Sequence, residues 1–175
     1  TQKIAINFVK IMQKAGYKIG ILGAEEADSG DAALRGGNEY LFHALATQNL
    51  STFKAYGVKK IVCTCPHDYN TIKKEYKEFA KVGVDAEGNP LEANYEVYHH
   101  SELIADIVKN GKIKLVEPLN AKVTYHDSCF LGRYNEIYDQ PRSIIKAVPG
   151  TDFVEMSRHH NKSFCCGAGG ARMFI

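Results

Sequence analysis

The stretch VKKIVCTCPHDYN, residues 58–70, decides the fold class. Its first half is a short apolar run rich in β-branched residues, which is typical of a buried strand. Pro66 follows at a point where a helix can begin, because the first helical residue needs no N–H donor. The pattern therefore predicts a strand, a turn and a helix, with Cys65 at the carboxyl end of the strand.

The same alternation continues on both sides of this stretch. Further strands are predicted at 17–23, 95–100, 122–129 and 151–156. Helices are predicted near 1–15, 38–56, 67–79, 101–111 (with Ser101 as its N-cap) and 140–147. This order indicates an α/β protein with mostly parallel sheets flanked by helices, arranged as two similar Rossmann-like lobes. Ligands of such sheets bind at the carboxyl ends of the strands, where Cys65 and Cys129 are expected.

Composition and charge narrow the function classes. The chain has 175 residues, of which 45% are hydrophobic and 24% charged, enough for one core or two small ones. The net charge is only +2, and basic residues are scattered among acidic ones, so no nucleic-acid partner is indicated. The sequence contains neither a long apolar run nor a signal-peptide pattern. We therefore expect a cytoplasmic protein, or one peripheral on the cytoplasmic face of a membrane complex.

The five cysteines carry the most specific pattern in the sequence. Cys63 and Cys65 lie on the predicted strand, and the other three form a second group. An odd number of clustered cysteines does not fit a secreted disulfide framework and indicates metal, cofactor or redox chemistry. Because strand residues alternate faces, Cys63 and Cys65 should point apart, and Cys63 is expected to be a core residue.

The second cysteine group runs into a glycine-rich turn, SFCCGAGGARMF, residues 163–174. Cys129 and Cys165 are separated by 35 residues, and Gly167 directly follows Cys166. A glycine beside adjacent cysteines lets two sulfurs converge without Cβ crowding and lets the backbone approach an inorganic core. Together with the context VTYHDSC, this spacing resembles the cysteine-rich CCG domain of heterodisulfide reductase catalytic subunits and related iron-sulfur oxidoreductases.

The resemblance implies an iron-sulfur oxidoreductase subunit. It implies a cluster of 4Fe-4S or non-cubane type bound at Cys129, Cys165, Cys166 and Gly167, with Cys65 as a further metal ligand. It also implies electron-transfer partners, namely ferredoxin-like or flavoprotein subunits or a membrane quinone module. The electrons would pass to a disulfide, a quinone or a partner protein.

Members of this family carry the cysteine pattern twice, as a lone cysteine, a CCG and a later Cys-x-x-Cys. In this chain the first CCG slot falls on Asp28, Ser29 and Gly30, and the first Cys-x-x-Cys slot runs from Cys65 to Asp68. These five residues are called the first-copy positions below. Iron-sulfur cores prefer thiolate over hard oxygen ligands, so the first copy is expected to hold no cluster, or a site different from the family's.

The two copies define the predicted domains. Residues 1–118 form a first CCG-like lobe with a degenerate cysteine pattern, and residues 119–175 form the start of a second lobe. The outer cysteines of the two copies would lie beyond residues 1 and 175, so the chain is expected to be part of a longer tandem repeat. One alternative stays open: a structural or partner-docking module with zinc or no metal in the cysteine site, since zinc also accepts cysteine and histidine ligands.

Overall fold

The structure is a computed structural model that describes residues 2–172. The chain divides into two compact units. Within the described residues, the first unit takes 2–21 and 99–165, and the second takes 22–98 and 166–172. The two units interleave along the chain, whereas the predicted lobes follow the repeat of the cysteine pattern. The division into repeats at 118/119 stays a prediction.

Helices and short strands alternate along the chain from α3 onward. The helices are α1 (Gln2–Lys14), α2 (Asp31–Arg35), α3 (Glu39–Ala55), α4 (Pro66–Asn70), α5 (Tyr76–Ala80), α6 (His100–Lys109) and α7 (Asp139–Ala147). A π-helical segment, Thr71–Glu75, joins α4 to α5. Single 3-10 turns lie at Gly23–Glu25 and His160–Lys162. The strands are β1 (Lys60–Cys63), β2 (Glu96–His99), β3 (Ala121–Val123) and β4 (Thr151–Phe153).

The first unit contains a parallel strand pair. In it, β3 and β4 run parallel, with Ala121 opposite Thr151 and Val123 opposite Phe153. Parallel neighbours need a crossover connection, and α7 lies between the two strands in sequence. The predicted strand–helix–strand order is confirmed here, and α7 packs against α6.

The first helix, α1, is amphipathic as predicted, but it buries only part of its apolar face. Phe8 and Met12 are buried, whereas Ile4 is 58% exposed. The Phe8 ring meets the ring of His100 edge-on at the start of α6, with 6.2 Å between the centroids. This helix therefore packs on the first unit through a short seam near its C-terminal half.

The second unit is built around α3 and a sheet in which β1 and β2 are hydrogen-bonded neighbours. As the sequence predicts, α3 begins after Asn38, whose side chain accepts a hydrogen bond from the N–H of Leu41 at 3.1 Å. The prediction that Pro66 opens a helix is confirmed by α4. The core of this unit buries Phe42, Ala46, Leu50, Phe53, Tyr69 and Tyr76.

The predicted strand at 17–23 is wrong. This stretch has no strand and ends in the first residue of a 3-10 turn. Gly20 and Gly23 place two glycines in seven residues, which weakens a strand because glycine loses much backbone entropy and packs no side chain. Ile21 is 81% exposed, so no burial on a sheet offsets that loss.

The predicted N-cap of α6 is also wrong, by two residues. His99, rather than Ser101, caps this helix: its Nδ1 accepts from the N–H of Ser101 at 3.4 Å. The carboxylate of Glu102 accepts from the N–H of His99 at 2.8 Å. These two bonds form a capping box, a role that histidine fills here in place of the usual serine or threonine.

The α/β class agrees with this mixture of helices and small sheets. Each sheet in residues 2–172 has two strands, so the two Rossmann-like lobes expected from the sequence are not confirmed. Among the same residues, no helix is both long and apolar enough to cross a lipid bilayer.

Candidate functional site

The CCG loop, residues 163–170, presents its two cysteines to solvent. Cys165 and Cys166 are both exposed. Gly167 has φ 77, a left-handed conformation that side-chain-bearing residues rarely adopt. No atom lies within 4 Å of the position that a Cβ on Gly167 would take, so conformation and not space requires glycine there.

The start of the CCG loop is anchored in the first unit. Ser163 is 1% exposed, and its hydroxyl donates to the carbonyl of Asp127 at 3.0 Å. The guanidinium of Arg133 donates to the carbonyls of Ser163 and of Asn161, the latter at 2.9 Å. The exposed Cys165 therefore follows a segment that hydrogen bonds hold in place.

Cys129 lies in a turn, and not at the end of a strand as the sequence predicted. The strand β3 already ends at Val123, and irregular backbone leads from it to Cys129. The carbonyl of Cys129 accepts from the N–H of Tyr134 at 3.1 Å, and that of Ser128 accepts from the N–H of Gly132 at 2.8 Å. The half-buried thiol thus sits on a hydrogen-bonded turn.

Asp127, two residues before Cys129, is the centre of a buried polar network. Its carboxylate receives two hydrogen bonds from Arg142, both at 2.7 Å, and one from the N–H of His160 at 2.6 Å. Burial alone would raise the pKa of Asp127, but these donors and the positive charge of Arg142 outweigh it and lower the pKa. The network ties the Cys129 turn and α7 to the segment that leads into the CCG loop.

The same guanidinium also binds Glu155. Arg142 is 4% exposed and reaches the two oxygens of Glu155 at 2.6 and 3.0 Å. Its hydrogen bonds to Asp127 and Glu155 raise the pKa of Arg142. Sequence reasoning missed this arginine, because nothing in the pattern of α7 distinguishes it from a solvated helix residue.

The first-copy positions meet in the second unit. The hydroxyl of Ser29 donates to Oδ1 of Asp68 at 2.6 Å, although 39 residues separate them in sequence. Oδ1 of Asp28 accepts from the N–H of Gly30 at 2.7 Å. The degenerate CCG slot and the degenerate Cys-x-x-Cys slot are therefore neighbours in space, held together by oxygen-centred hydrogen bonds.

Asp31, the residue after Gly30, forms several polar contacts next to the first-copy positions. It is buried, and its carboxylate contacts Nδ1 of His67 at 2.7 Å, the hydroxyl of Thr71 at 3.0 Å and Nε of Arg35 at 3.3 Å. Burial opposes ionisation, but the hydrogen bonds from His67 and Thr71 and the nearby positive charges lower the pKa of Asp31. Sequence analysis did not single out this carboxylate, because its partners lie up to 40 residues away.

A cavity of about 240 Å³ joins the first-copy positions to the end of the CCG loop within the second unit. It is lined by Asp28, Ser29, Asp31, Ala32, His67, Asp68, Cys166 and 168–171. Gly169 lies so close to His67 that an added Cβ would come within 3.3 Å of the imidazole Cε1. Cys166 thus borders an oxygen-rich cavity.

Cys65 and Cys63 differ in environment, because β1 ends at Cys63 and Cys65 lies beyond the end of the strand. Cys65 is half-buried and is the N-cap residue of α4, and Cys63 is buried. Burial raises the pKa of Cys65. The backbone N–H groups of Asp68 and His67 favour the thiolate and offset part of this effect. Burial also raises the pKa of Cys63 to about 12. Without a metal, both are thiols at neutral pH.

The donor sets of the two copies fit an iron-sulfur cluster differently. Apart from the single thiol of Cys65, the first-copy positions offer carboxylate and hydroxyl oxygens, two of them already engaged with each other, and do not fit a thiolate-ligated core. The second copy offers the thiols of Cys129, Cys165 and Cys166, of which two are exposed and one half-buried. These are the ligands that such a core requires, and their role stays a prediction.

Comparison with known proteins identifies the family. A family model described as the CCG cysteine-rich domain matches residues 1–73 and 123–174. The chain belongs to the CCG cysteine-rich domain family. Both matched segments of this CCG protein include positions discussed above: the first-copy positions in one, and the three second-copy cysteines in the other.

Several relatives of this CCG protein are longer proteins whose names describe redox functions. It is 49% identical over 175 residues to the probable iron-sulfur-binding oxidoreductase FadF of Bacillus subtilis, covering 100% of this chain and 23% of the relative. It is 46% identical over 174 residues to the EtfAB:quinone oxidoreductase of Syntrophomonas wolfei, covering 99% and 22%.

A third relative is a component of the dihydromethanophenazine:CoB–CoM heterodisulfide reductase of Methanosarcina mazei. The identity is 35% over 170 residues, covering 95% of this chain and 39% of the relative. The chain therefore spans between about a fifth and two fifths of the length of these relatives. No solved structure gives a significant match to it.

Proposed function

We propose that this chain is the cluster-bearing part of an iron-sulfur oxidoreductase that passes electrons between partner proteins and a final acceptor. The observation that carries the proposal is the exposed Cys165–Cys166 pair on the anchored CCG loop of a CCG family member. In support, relatives that align with 99–100% of this chain are named as an iron-sulfur-binding oxidoreductase and an EtfAB:quinone oxidoreductase.

The proposed ligands are Cys129, Cys165 and Cys166, together with cysteines elsewhere in the full-length protein. Their support is the sequence spacing and the thiolate chemistry of the donor set. A bound cluster, of 4Fe-4S or non-cubane type, would supply one-electron chemistry. Gly167 lets the chain turn directly after the two thiols, and the exposure of both thiols keeps that edge accessible to a redox partner.

Both positively and negatively charged side chains lie near the proposed ligands. Arg133 holds the base of the CCG loop through two backbone carbonyls and brings a positive charge near it. The cavity in the second unit, which Cys166 borders, carries the carboxylates of Asp28, Asp31 and Asp68. Negative charge next to a cluster favours its oxidised form, so these carboxylates would lower the reduction potential.

The absence of fitting ligands at the first-copy positions favours an electron conduit over a two-cluster disulfide reductase. We propose an electron-transfer flavoprotein or a ferredoxin-like subunit as the donor, in line with the name of the relative from S. wolfei. A membrane quinone module is the first acceptor to test, and a disulfide is the second, in line with the name of the relative from M. mazei.

The test is iron, acid-labile sulfide and zinc content of the full-length protein, purified without oxygen, with electron paramagnetic resonance on oxidised and reduced samples. Cys129→Ser, Cys165→Ser and Cys166→Ser should each remove most of the iron and sulfide assigned to the second copy, because a serine oxygen replaces a soft ligand. Cys63→Ser is the matched control and should leave the metal content unchanged, since this thiol is buried in the core of the second unit.

Two results would contradict the proposal. Equal iron in all four variants would remove the ligand assignment. Zinc without sulfide in the parent protein would remove the electron-transfer function and favour a docking module instead.

A further inference from the structure

A second group of metal-ligating side chains lies in the first unit, between β4 and the CCG loop. Glu155, His159 and His160 each offer one ligand atom, and the three atoms lie within 4.8 Å of one another. Glu155 is exposed and the two histidines are half-buried, so an ion from solvent can reach all three. None of these residues belongs to the cysteine pattern.

The two imidazoles face each other through the same ring nitrogen. Nδ1 of His159 lies 2.6 Å from Nδ1 of His160. At that distance one nitrogen carries the shared proton and the other accepts it, so both lone-pair directions meet at one point. A metal ion can take the place of that proton. Zn–N bonds of about 2.0–2.1 Å require the two nitrogens to be roughly 3.3 Å apart, which small side-chain rotations provide.

Buried partners hold two of the three ligand residues, Glu155 and His160, in position. Both oxygens of Glu155 are bound by the buried Arg142, which leaves further lone pairs on the carboxylate for an ion. The N–H of His160 donates to the buried Asp127 at 2.6 Å. Such hydrogen bonds behind the ligands orient them before an ion arrives.

Backbone conformation and charge favour the same interpretation. His160 has φ 53, a left-handed conformation that is costly for a non-glycine residue and is enriched at functional sites. Asp127 and Glu155 place two carboxylates on the guanidinium of Arg142, next to the two imidazoles. A divalent cation is the ligand that this combination suits best.

We propose that Glu155, His159 and His160 form a binding site for a first-row divalent metal ion, with Zn²⁺ as the best fit. Two imidazoles and one carboxylate are a known zinc donor set, with water in the fourth position. The site goes beyond the proposed electron transfer and does not depend on it. Its ion would link the end of β4 to the segment that leads into Cys165.

The experiment is zinc binding to the full-length, cluster-loaded protein, with ZnCl₂ as the probe in a metal-buffered solution. The parent protein should retain one equivalent of Zn²⁺ after desalting, with iron and sulfide unchanged. His159→Gln and His160→Asn should each weaken zinc binding at least tenfold, and asparagine is chosen at 160 because it tolerates a left-handed backbone. His126→Gln is the matched control, a histidine of the same unit outside the cluster.

The outcomes separate this site from the cysteine site. Loss of zinc in the two cluster variants, with zinc retained in His126→Gln and iron constant throughout, supports the proposal. No retained zinc in the parent protein, or equal zinc in all variants, overturns it. Zinc uptake that releases iron shows binding at cysteines and also overturns it. Iron and sulfide in the parent protein report on electron transfer separately.

Discussion

Asp127 and Arg142 form the most completely buried charge pair that the structure describes in residues 2–172, with side chains 2% and 4% exposed. Removing one partner of such a pair leaves the other charge without compensation away from water. Asp127→Asn should therefore lower the free energy of unfolding by about 2–3 kcal/mol, somewhat less than a full loss because Glu155 still binds the guanidinium.

The measurement for Asp127→Asn is the denaturation midpoint of the full-length variant at pH 7. Because the pKa of Asp127 is lowered on folding, its contribution is complete above the ordinary value of 3.8 and is lost only as the pH falls through the lower folded value. Glu78→Gln is the control: its contact with Lys81 is 2.6 Å long, but both side chains are at least 65% exposed. We expect less than about 0.5 kcal/mol there, and equal losses in the two variants would contradict the argument.

At the scale of helices and strands, the sequence predicted correctly those features that depend on interactions between residues close together in the chain. Pro66 and the apolar spacing of α3 predicted two helices correctly, because proline and side-chain periodicity act over short stretches of chain. The prediction of a strand at 17–23 failed because an apolar run becomes a strand only when a neighbouring strand pairs with it. Ile21 is exposed and does not pack on a sheet. The N-cap of α6 was misplaced because histidine is seldom a cap.

The turn into α2 provides an element-scale prediction. Gly30 has φ 78, and a Cβ on it would lie 3.0 Å from Cδ2 of Phe42 and 3.4 Å from its Cα. Gly37 has φ 80 with no atom within 4 Å of that position. Both alanine variants lose about 1–2 kcal/mol to the left-handed backbone, but only Gly30→Ala also crowds the core, for roughly 1–3 kcal/mol more.

Chemical denaturation of the two alanine variants separates these contributions. Gly30→Ala should be the less stable by the free energy of that crowding, and it should disturb the placement of Asp31 at the start of α2. If Gly37→Ala is equally unstable, the close approach of Phe42 does not determine the choice of glycine at position 30.

For the molecule as a whole, the cysteine spacing and the packing of distant segments carry different information about the candidate site. The alignment of the first copy paired positions near Ser29 with positions near Asp68, and the two side chains do hydrogen-bond. The Asp31–His67 and Asp127–Arg142 contacts had no sequence signal, because they depend on how distant segments pack. Motif spacing records the ligands of a site, while the groups that hold and tune them appear only in three dimensions.

The cavity beside Cys166 gives the last prediction, because it brings first-copy carboxylates to a proposed second-copy ligand. Asp68 lines this cavity, so removing its charge should stabilise the reduced cluster. Asp68→Asn should raise the midpoint potential by on the order of tens of millivolts, as expected for one charge at intermediate distance and dielectric. Redox titration followed by electron paramagnetic resonance of the full-length protein measures it.

The control is Asp85→Asn, a carboxylate of the same unit in the turn at 85–89 and outside the cavity lining, which should leave the potential unchanged. Iron and sulfide should stay constant in both variants, because neither aspartate belongs to the proposed ligand set. Lost iron in Asp68→Asn would mean that the first copy ligates metal through oxygen after all. An unchanged potential with full iron would mean that the charge of the first copy does not reach the cluster, and its carboxylates would then serve only the fold.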